Sequence, residues 1–327
     1  MAVRFACLVA FSCLVLAGSG ECAELTADAI NNAELKSRSF AQDKLTPAVT
    51  KLQVLLDRAR FSPGEIDGKF GDNAQKALKA FAQAKGLDAS GKITKEAWDA
   101  LVSDDSGPAI IAYKVSAQDV KGPFLKPIPK KMEDMKDLPS LGYSSPREAL
   151  AEKFHMSEDL LSALNPGKSF EQPDQDILVA NVLKKSDAQV TVSKLSVDKD
   201  KGRIEVFDVA GKSVAVFPAT VGSSEKPTPT GTYKVTSTDQ YPDYRYNPAY
   251  GFKNVKASKP FTIKPGPNNP VGSYWIGLSV GQGYGIHGTA EPSKVGKTES
   301  HGCIRLTNWD ATWLGDHVKK GTQVELR

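Results

Sequence analysis

The strongest constraint on this chain lies in residues 190–327, where short alternating runs of apolar and polar residues follow one another with a single helical interruption. VTVSKLSVD, GRIEVFD, SVAVFPATVG, GTYKVTS, KPFTIK, GSYWIGLS, YGIHGT and CIRLT each read as a strand. A period of two sends one face of each into a core and the other into water. Asp-Lys-Asp, Ala-Gly-Lys and Pro-Thr-Pro-Thr-Gly supply turns between them. Short strands at this spacing predict a mainly-β sandwich or barrel. The interruption is a helix over residues 308–320, with Trp309 and Trp313 four apart, Lys319 and Lys320 in its last turn and Gly321 just past it. Packing of the two tryptophans against the sheet is expected in preference to stacking on a ligand. Residues 240–272 are long for a loop, as lids and binding loops often are, and Tyr241, Tyr244, Tyr246 and Tyr250 cluster in them.

The remaining length requires other modules, since 327 residues suit two or three domains. Residues 24–44 read as a polar, irregular lead-in. Val49, Leu52, Leu55 and Leu56 then mark one face of a helix that starts at Thr46-Pro47. A turn-rich PGEIDGKFGD separates it from a second helix with Ala74, Ala77, Leu78 and Phe81 at helical spacing. Thr94 caps a short third helix with Ala97, Trp98 and Leu101. After a linker, SDDSGP, comes a strand, IIAYKV, and a Pro/Lys-rich insertion at 121–139. Ser145-Pro146-Arg147-Glu148 is a capping box that opens a helix, and Ser157 caps another, stopped at Asn165-Pro166. DILVANVL closes the segment as a strand, and KKSDAQ is the next linker. His155 reads as a partly exposed residue at a helix end.

Composition narrows the partners. An apolar share of 40% and a charged share of 24% are ordinary for a soluble protein, and a net charge of +4 is mild. With no long basic run and no interleaved aromatics, nucleic acid is not an expected partner. Residues 1–23 carry Arg4, an apolar run from Phe5 to Ala17 and small residues Gly18, Ser19 and Gly20. That is the pattern of a secretory signal, too short to span a membrane. Export to the periplasm or cell envelope is therefore expected, with no transmembrane segment. Cys7 and Cys13 leave with the signal, Cys22 sits beside the cut, and Cys303 remains as a lone thiol. A disulfide framework is excluded, and a free reactive thiol is flagged.

Cys303 stands in SHGCIRL. A structural cysteine is one reading, but Gly302 and the polar neighbours suit an exposed turn better. Zinc held by Cys303, His301 and His287 is a second. One spacer between His301 and Cys303 is tighter than common zinc pairs, and no carboxylate stands in an obvious fourth position. A nucleophile is the third: a thiolate attacks acyl carbon, an imidazole takes its proton, and backbone N–H groups at Gly302 and Cys303 hold an oxyanion. Arg305, two residues on along a strand, faces the same way as Cys303. A carboxylate grip and a surface ion pair are equally open for it.

Three resemblances organise these readings. G-x-IDGKFG followed by KGL-x-x-x-GKIT-x-x-x-W resembles a peptidoglycan-binding module over residues 45–102, a small α-helical bundle. Strand, helix, helix, strand over 110–183, with YKV, HMSEDLLSALNP and ILVANV, resembles a LysM glycan-binding module of α+β type carrying an insertion. HGT followed by SHGCIRL, with PTPTG upstream, resembles the L,D-transpeptidase catalytic domain over residues 190–327. That last resemblance implies Cys303 as nucleophile and His287 as general base, oriented by a backbone carbonyl near Gly288. It implies that Ser300, His301, Gly302, Gly288 and Arg305 shape the oxyanion hole and cleft. It further implies acylation by peptidoglycan stem peptides, with another stem, an anchored protein or water as acceptor. Trapping by carbapenems is implied too, and no metal or organic cofactor. A non-catalytic wall-binding protein and a zinc peptidase are the rivals. Separate modules lead to the expectation that residues from about 187 onward acylate on their own.

Overall fold

The computed structural model describes residues 25–35, 40, 44–104, 107–183, 190–223, 226–251, 255–281, 283–298, 300 and 302–327. The signal-like N-terminus, the KKSDAQ linker and His301 lie outside them. The N-terminal helices are α1 (Ala27–Asn31), α2 (Pro47–Arg58), α3 (Asp72–Ala84) and α4 (Lys95–Asp104). The middle segment holds β1 (Ile110–Lys114), α5 (Met132–Met135), α6 (Pro146–Lys153), α7 (Glu158–Leu164) and β2 (Asp176–Ala180). The C-terminal part holds β3 (Val192–Asp198), β4 (Arg203–Asp208), β5 (Ser213–Pro218), β6 (Thr220–Val221), β7 (Gly231–Gln240), β8 (Tyr244–Tyr246) and β9 (Phe261–Ile263). It continues through β10 (Tyr274–Leu278), β11 (Gly285–His287), β12 (Ile304–Arg305), α8 (Asn308–His317) and β13 (Gln323–Leu326).

Local signals placed most of these elements. Thr46 accepts from Val49 N at 3.2 Å, Thr94 from Ala97 N at 3.2 Å and Ser157 from Leu160 N at 3.1 Å, each satisfying an N–H that helix geometry leaves unpaired. Ser145 does the same for Glu148 N, but Glu148 reaches back to the backbone of Ser144 rather than to the cap residue itself. The lead-in is not wholly irregular. Thr26 caps α1, Ile30 is fully buried, and the Asn31 amide exchanges two hydrogen bonds with Ile110. Tertiary contacts made this helix where sequence periodicity was too short to show it. Helix α8 stops at His317, short of Lys320, because Val318 turns to extended backbone.

The C-terminal strands form one continuous nine-stranded sheet, in the order β5-β4-β3-β13-β7-β10-β11-β12-β6, together with the single C-terminal helix α8. Strand β7 joins its two halves, pairing with β13 at its start and with β10 at its end. Both halves and α8 contribute to one core that includes Leu195, Ile204, Ile276, Ile286, Ile304 and Leu314. The 240–272 stretch folds partly into a β8–β9 hairpin with Tyr246 buried and Tyr241 exposed.

The modules are knit together. Residues 60–62 run beside the edge strand β5, with Val216 N donating to Arg60 O and Ser62 N to Val216 O, both at 2.8 Å. The Val216 side chain sits in the helical bundle's core with Phe61 and Phe81. The bundle therefore covers a sheet edge that would otherwise be open to another chain. His155, with φ of 56°, sits partly exposed just past the end of α6, where it pairs with Asp57 at 3.0 Å and stacks on Trp309 at 5.1 Å. Trp313 meets Phe217 and the Arg60 guanidinium.

Asp310 is buried at this junction, and Glu152 and Glu65 are half-buried beside it. The Asn308 amide donates to both oxygens of Glu152 at 3.0 Å, and the Ser62 hydroxyl donates to Asp310 at 2.8 Å. Burial pushes Glu152 up to about 8. It pushes Asp310 up to about 7, with the Asp57 charge adding to it, and Glu65 likewise to about 7. A folded pKa above the unfolded one means that the folded state holds the proton more tightly. The resulting stability is full below the unfolded carboxyl value and is lost as pH rises through about 8. The melting temperature is expected to fall as pH rises from about 4.5 to about 8, and Glu152→Gln, which cannot ionise, to flatten that fall. An unchanged slope in calorimetry of this variant would clear Glu152 of the effect.

Candidate active site

Strand register assembles the site. Asp239 on β7 lies opposite Trp275 on β10, Trp275 opposite His287 on β11, and His287 beside Arg305 on the parallel strand β12. Directly paired residues project from the same face, so these four form a row across the sheet. Their neighbours Ile276, Ile286 and Ile304 form the alternate row, sunk in the core. One step of register slip would have buried the charges and exposed the isoleucines. Cys303, two residues before Arg305, joins the polar face.

These residues line a cleft of about 640 Å³ with Lys226, Tyr244, Tyr284 and Met132. Cys303 is the one free cysteine among the described residues. Its Sγ donates to Gly283 O at 3.1 Å. His287 is only 3% exposed and stacks on Trp275 at 5.7 Å. Its Nδ1 lies 2.6 Å from Gly288 O. A carbonyl only accepts, so Nδ1 carries the proton and Nε2 is left with its lone pair.

Electrostatics keep the resting pair neutral. Burial pushes His287 down to about 3, the Arg305 charge adds to that, and the bond to Gly288 opposes it. Burial also pushes the Cys303 thiol up, against the Gly285 backbone and the Arg305 and Lys226 charges. A preformed thiolate–imidazolium pair is disfavoured on both sides. Neutral imidazole Nε2 is instead a base available across the whole neutral range.

The turn around the thiol is fixed by side chains. Ser300, 1% exposed, donates through Oγ to Cys303 O at 2.5 Å, and Thr228 donates to Gly302 O at 2.9 Å. Because N–H and C=O of a trans peptide point opposite ways, this bond aims Cys303 N–H away from Thr228. Gly302 has a φ of +95°, which a side chain would strain. Gly288 packs on α8: a Cβ there would stand 2.3 Å from Asn308 Oδ1. Gly288→Ala is therefore expected to displace the carbonyl that anchors His287. The acylation rate should fall by about 10²-fold, as for other small misplacements of a catalytic group. An unchanged rate in a folded variant would show that the anchor is dispensable.

Of the residues singled out in sequence, the structure brings Cys303, His287 and Arg305 into one cleft and puts Ser300, Gly302 and Gly288 in its supports. Sequence reasoning missed Thr228, Trp275, Tyr284, Lys226 and Met132. PTPTG was visible as a turn, but nothing local pointed its first threonine at Gly302. Among the described residues, no group of three or more His, Cys, Asp or Glu is placed to hold a metal.

A thiol and a neutral imidazole on one face of a sheet, with a shaped backbone turn between glycines, are the equipment of acyl transfer through a thioester. Residues 193–326 match the model of the L,D-transpeptidase catalytic domain, and residues 46–101 that of a putative peptidoglycan binding domain. The chain is 27% identical to the putative L,D-transpeptidase YkuD of Bacillus licheniformis, over 55% of its length and 92% of that protein's. It is 34% identical to the putative L,D-transpeptidase YqjB of Bacillus subtilis, over 35% of this chain and 59% of that one. It is 29% identical to the probable L,D-transpeptidase YbiS of Escherichia coli, over 57% and 61%. The L,D-transpeptidase from Mycobacterium smegmatis aligns at 21% identity with a TM-score of 0.35, over 47% of this chain and 70% of that one. Residues 193–326 are thus an L,D-transpeptidase catalytic domain, preceded by a peptidoglycan-binding domain.

Proposed function

We propose that this chain is an exported enzyme that transfers peptidoglycan stem peptides through a thioester on Cys303. His287 Nε2 takes the thiol proton as Sγ attacks the carbonyl of the diamino acid at the third stem position. The C–N bond to the terminal D-amino acid breaks, and the imidazolium returns its proton to the leaving amine. Cys303 N–H, with its neighbour at Gly302, faces the developing oxyanion. Arg305 and Lys226 flank the thiol, whose ionisation they favour, and suit a donor bearing a free carboxylate. An amine from a second stem then releases the acyl group as a new amide. An anchored protein is an alternative acceptor, and with water the product is that of an L,D-carboxypeptidase. The modules before residue 190 hold the enzyme on the wall, residues 46–101 by their match and 110–183 by their LysM resemblance. Residues 1–23 direct export. No helix among the described residues is long and apolar enough to cross a membrane.

The observation that carries this reading is the neutral His287, anchored through Nδ1 in the cleft of the free thiol. Incubation of purified protein with disaccharide-tetrapeptide, followed by mass spectrometry, tests it. A crosslinked dimer lacking one terminal D-amino acid is expected, absent from Cys303→Ala and unaffected by EDTA. Activity lost on chelation and restored by zinc would replace the thiol mechanism with a metal one.

A further inference from the structure

The Pro/Lys-rich insertion in the middle segment does not stay with the segment that carries it. Helix α5 packs against β9 of the catalytic domain, and Glu133 accepts from Lys256 N at 2.6 Å. Further along, Leu141 N donates to Pro265 O at 2.8 Å and Asn268 N to Leu141 O at 2.9 Å. The Asn268 amide bridges Gly142 O and the Glu148 carboxylate at 3.1 and 2.8 Å. Bonds at both ends of residues 133–142 hold the insertion against the loop that forms one side of the cleft. Met132 ends up lining the same cleft as Cys303, His287 and Arg305.

We infer that Met132, supplied by the middle segment, is a specificity-determining residue of the thiol cleft, packing on the aliphatic part of an extended peptide whose carbonyl has reached Cys303. The cleft is lined by charged groups, Arg305 and Lys226 by the thiol, and by the aromatic rings of Tyr244, Trp275 and Tyr284. A flexible, polarisable thioether lining such a groove follows a chain of methylenes well. A small reagent reaches the sulfur without that contact, whereas a long peptide makes it. The segment that resembles a glycan-binding module therefore also selects the donor. This assignment rests on the proposed acyl transfer for its substrate class, but the position of Met132 in the cleft stands apart from it.

Two measurements on the full chain keep those apart. In the first, Cys303 is labelled with iodoacetamide and with a bulky fluorescein maleimide, each adduct being located on the peptide that carries Cys303. Met132→Ala and Glu133→Ala should each raise the ratio of bulky to small labelling, and Met132→Trp should lower it. In the second, Met132→Ala should raise KM for disaccharide-tetrapeptide by roughly tenfold, as for lost apolar contact in a pocket, with kcat nearly unchanged. A labelling ratio that moves in none of the variants would overturn the inference, as would an unaltered KM in an active Met132→Ala enzyme. If the wild type consumes no tetrapeptide while its labelling ratio still responds, the substrate reading fails and the wall of the cleft stands.

Discussion

His287→Ala is expected to slow acylation of Cys303 by about 10²–10⁴-fold, the usual contribution of a positioned base. Burial holds His287 down to about 3, so its base form is fully populated at neutral pH. The wild-type acylation rate should therefore be nearly flat between about pH 5 and 8, with no step near the ordinary histidine value. Without the imidazole, only thiol ionised by solvent reacts, and the variant's rate should climb about tenfold for each pH unit. Carbapenem acylation followed by intact mass at a series of pH values reads both curves. A wild-type rate that halves near pH 6.5 would contradict the buried neutral imidazole. His301, two residues before the thiol in sequence, is expected to shape the turn, so that His301→Ala lowers the rate and keeps the flat profile. Rescue by high pH in that variant alone would reverse the two roles.

Excision of residues 190–327 is expected to yield an unstable or associating protein, although sequence patterning alone predicts an independent catalytic unit. Removing the bundle strips residues 60–62 from strand β5 and uncovers Val216, which is 3% exposed in the intact chain. It also uncovers one face of Trp313 and leaves Asp310 without its Ser62 hydroxyl. Re-exposing one or two such side chains costs about 1.5–3 kcal/mol each. For a domain of this size that lowers the melting temperature by roughly 10 °C. An open edge strand adds a route to self-pairing. Scanning calorimetry and light scattering of the fragment beside the intact chain would decide the matter. A monomeric fragment with the parent's melting temperature and acylation rate would show that the interface contributes nothing.

Much of this protein was legible without coordinates. Helix starts at Thr46, Thr94, Ser145 and Ser157 were local events, set by a hydroxyl and the N–H three residues on. Strands declared themselves by alternation, SHGCIRL singled out the thiol by its local chemistry, and His287 was reached as the base only through the family resemblance of HGT followed by SHGCIRL. What sequence left open depends on pairing between distant residues. Whether Asp239, Trp275, His287 and Arg305 share a face is decided by register across four strands, which no local pattern encodes. The neutrality of His287 follows from burial beside a guanidinium, a property of the assembled core. Patterning separated the modules because each has its own periodicity. Tertiary structure joined them, since a bundle loop satisfies the edge of β5, Glu152 finds its donors on Asn308, and an insertion with no apolar period carries Met132 to the cleft. Chain chemistry supplied the candidate reactive groups; strand register within the sheet and packing between modules decided which side chains meet.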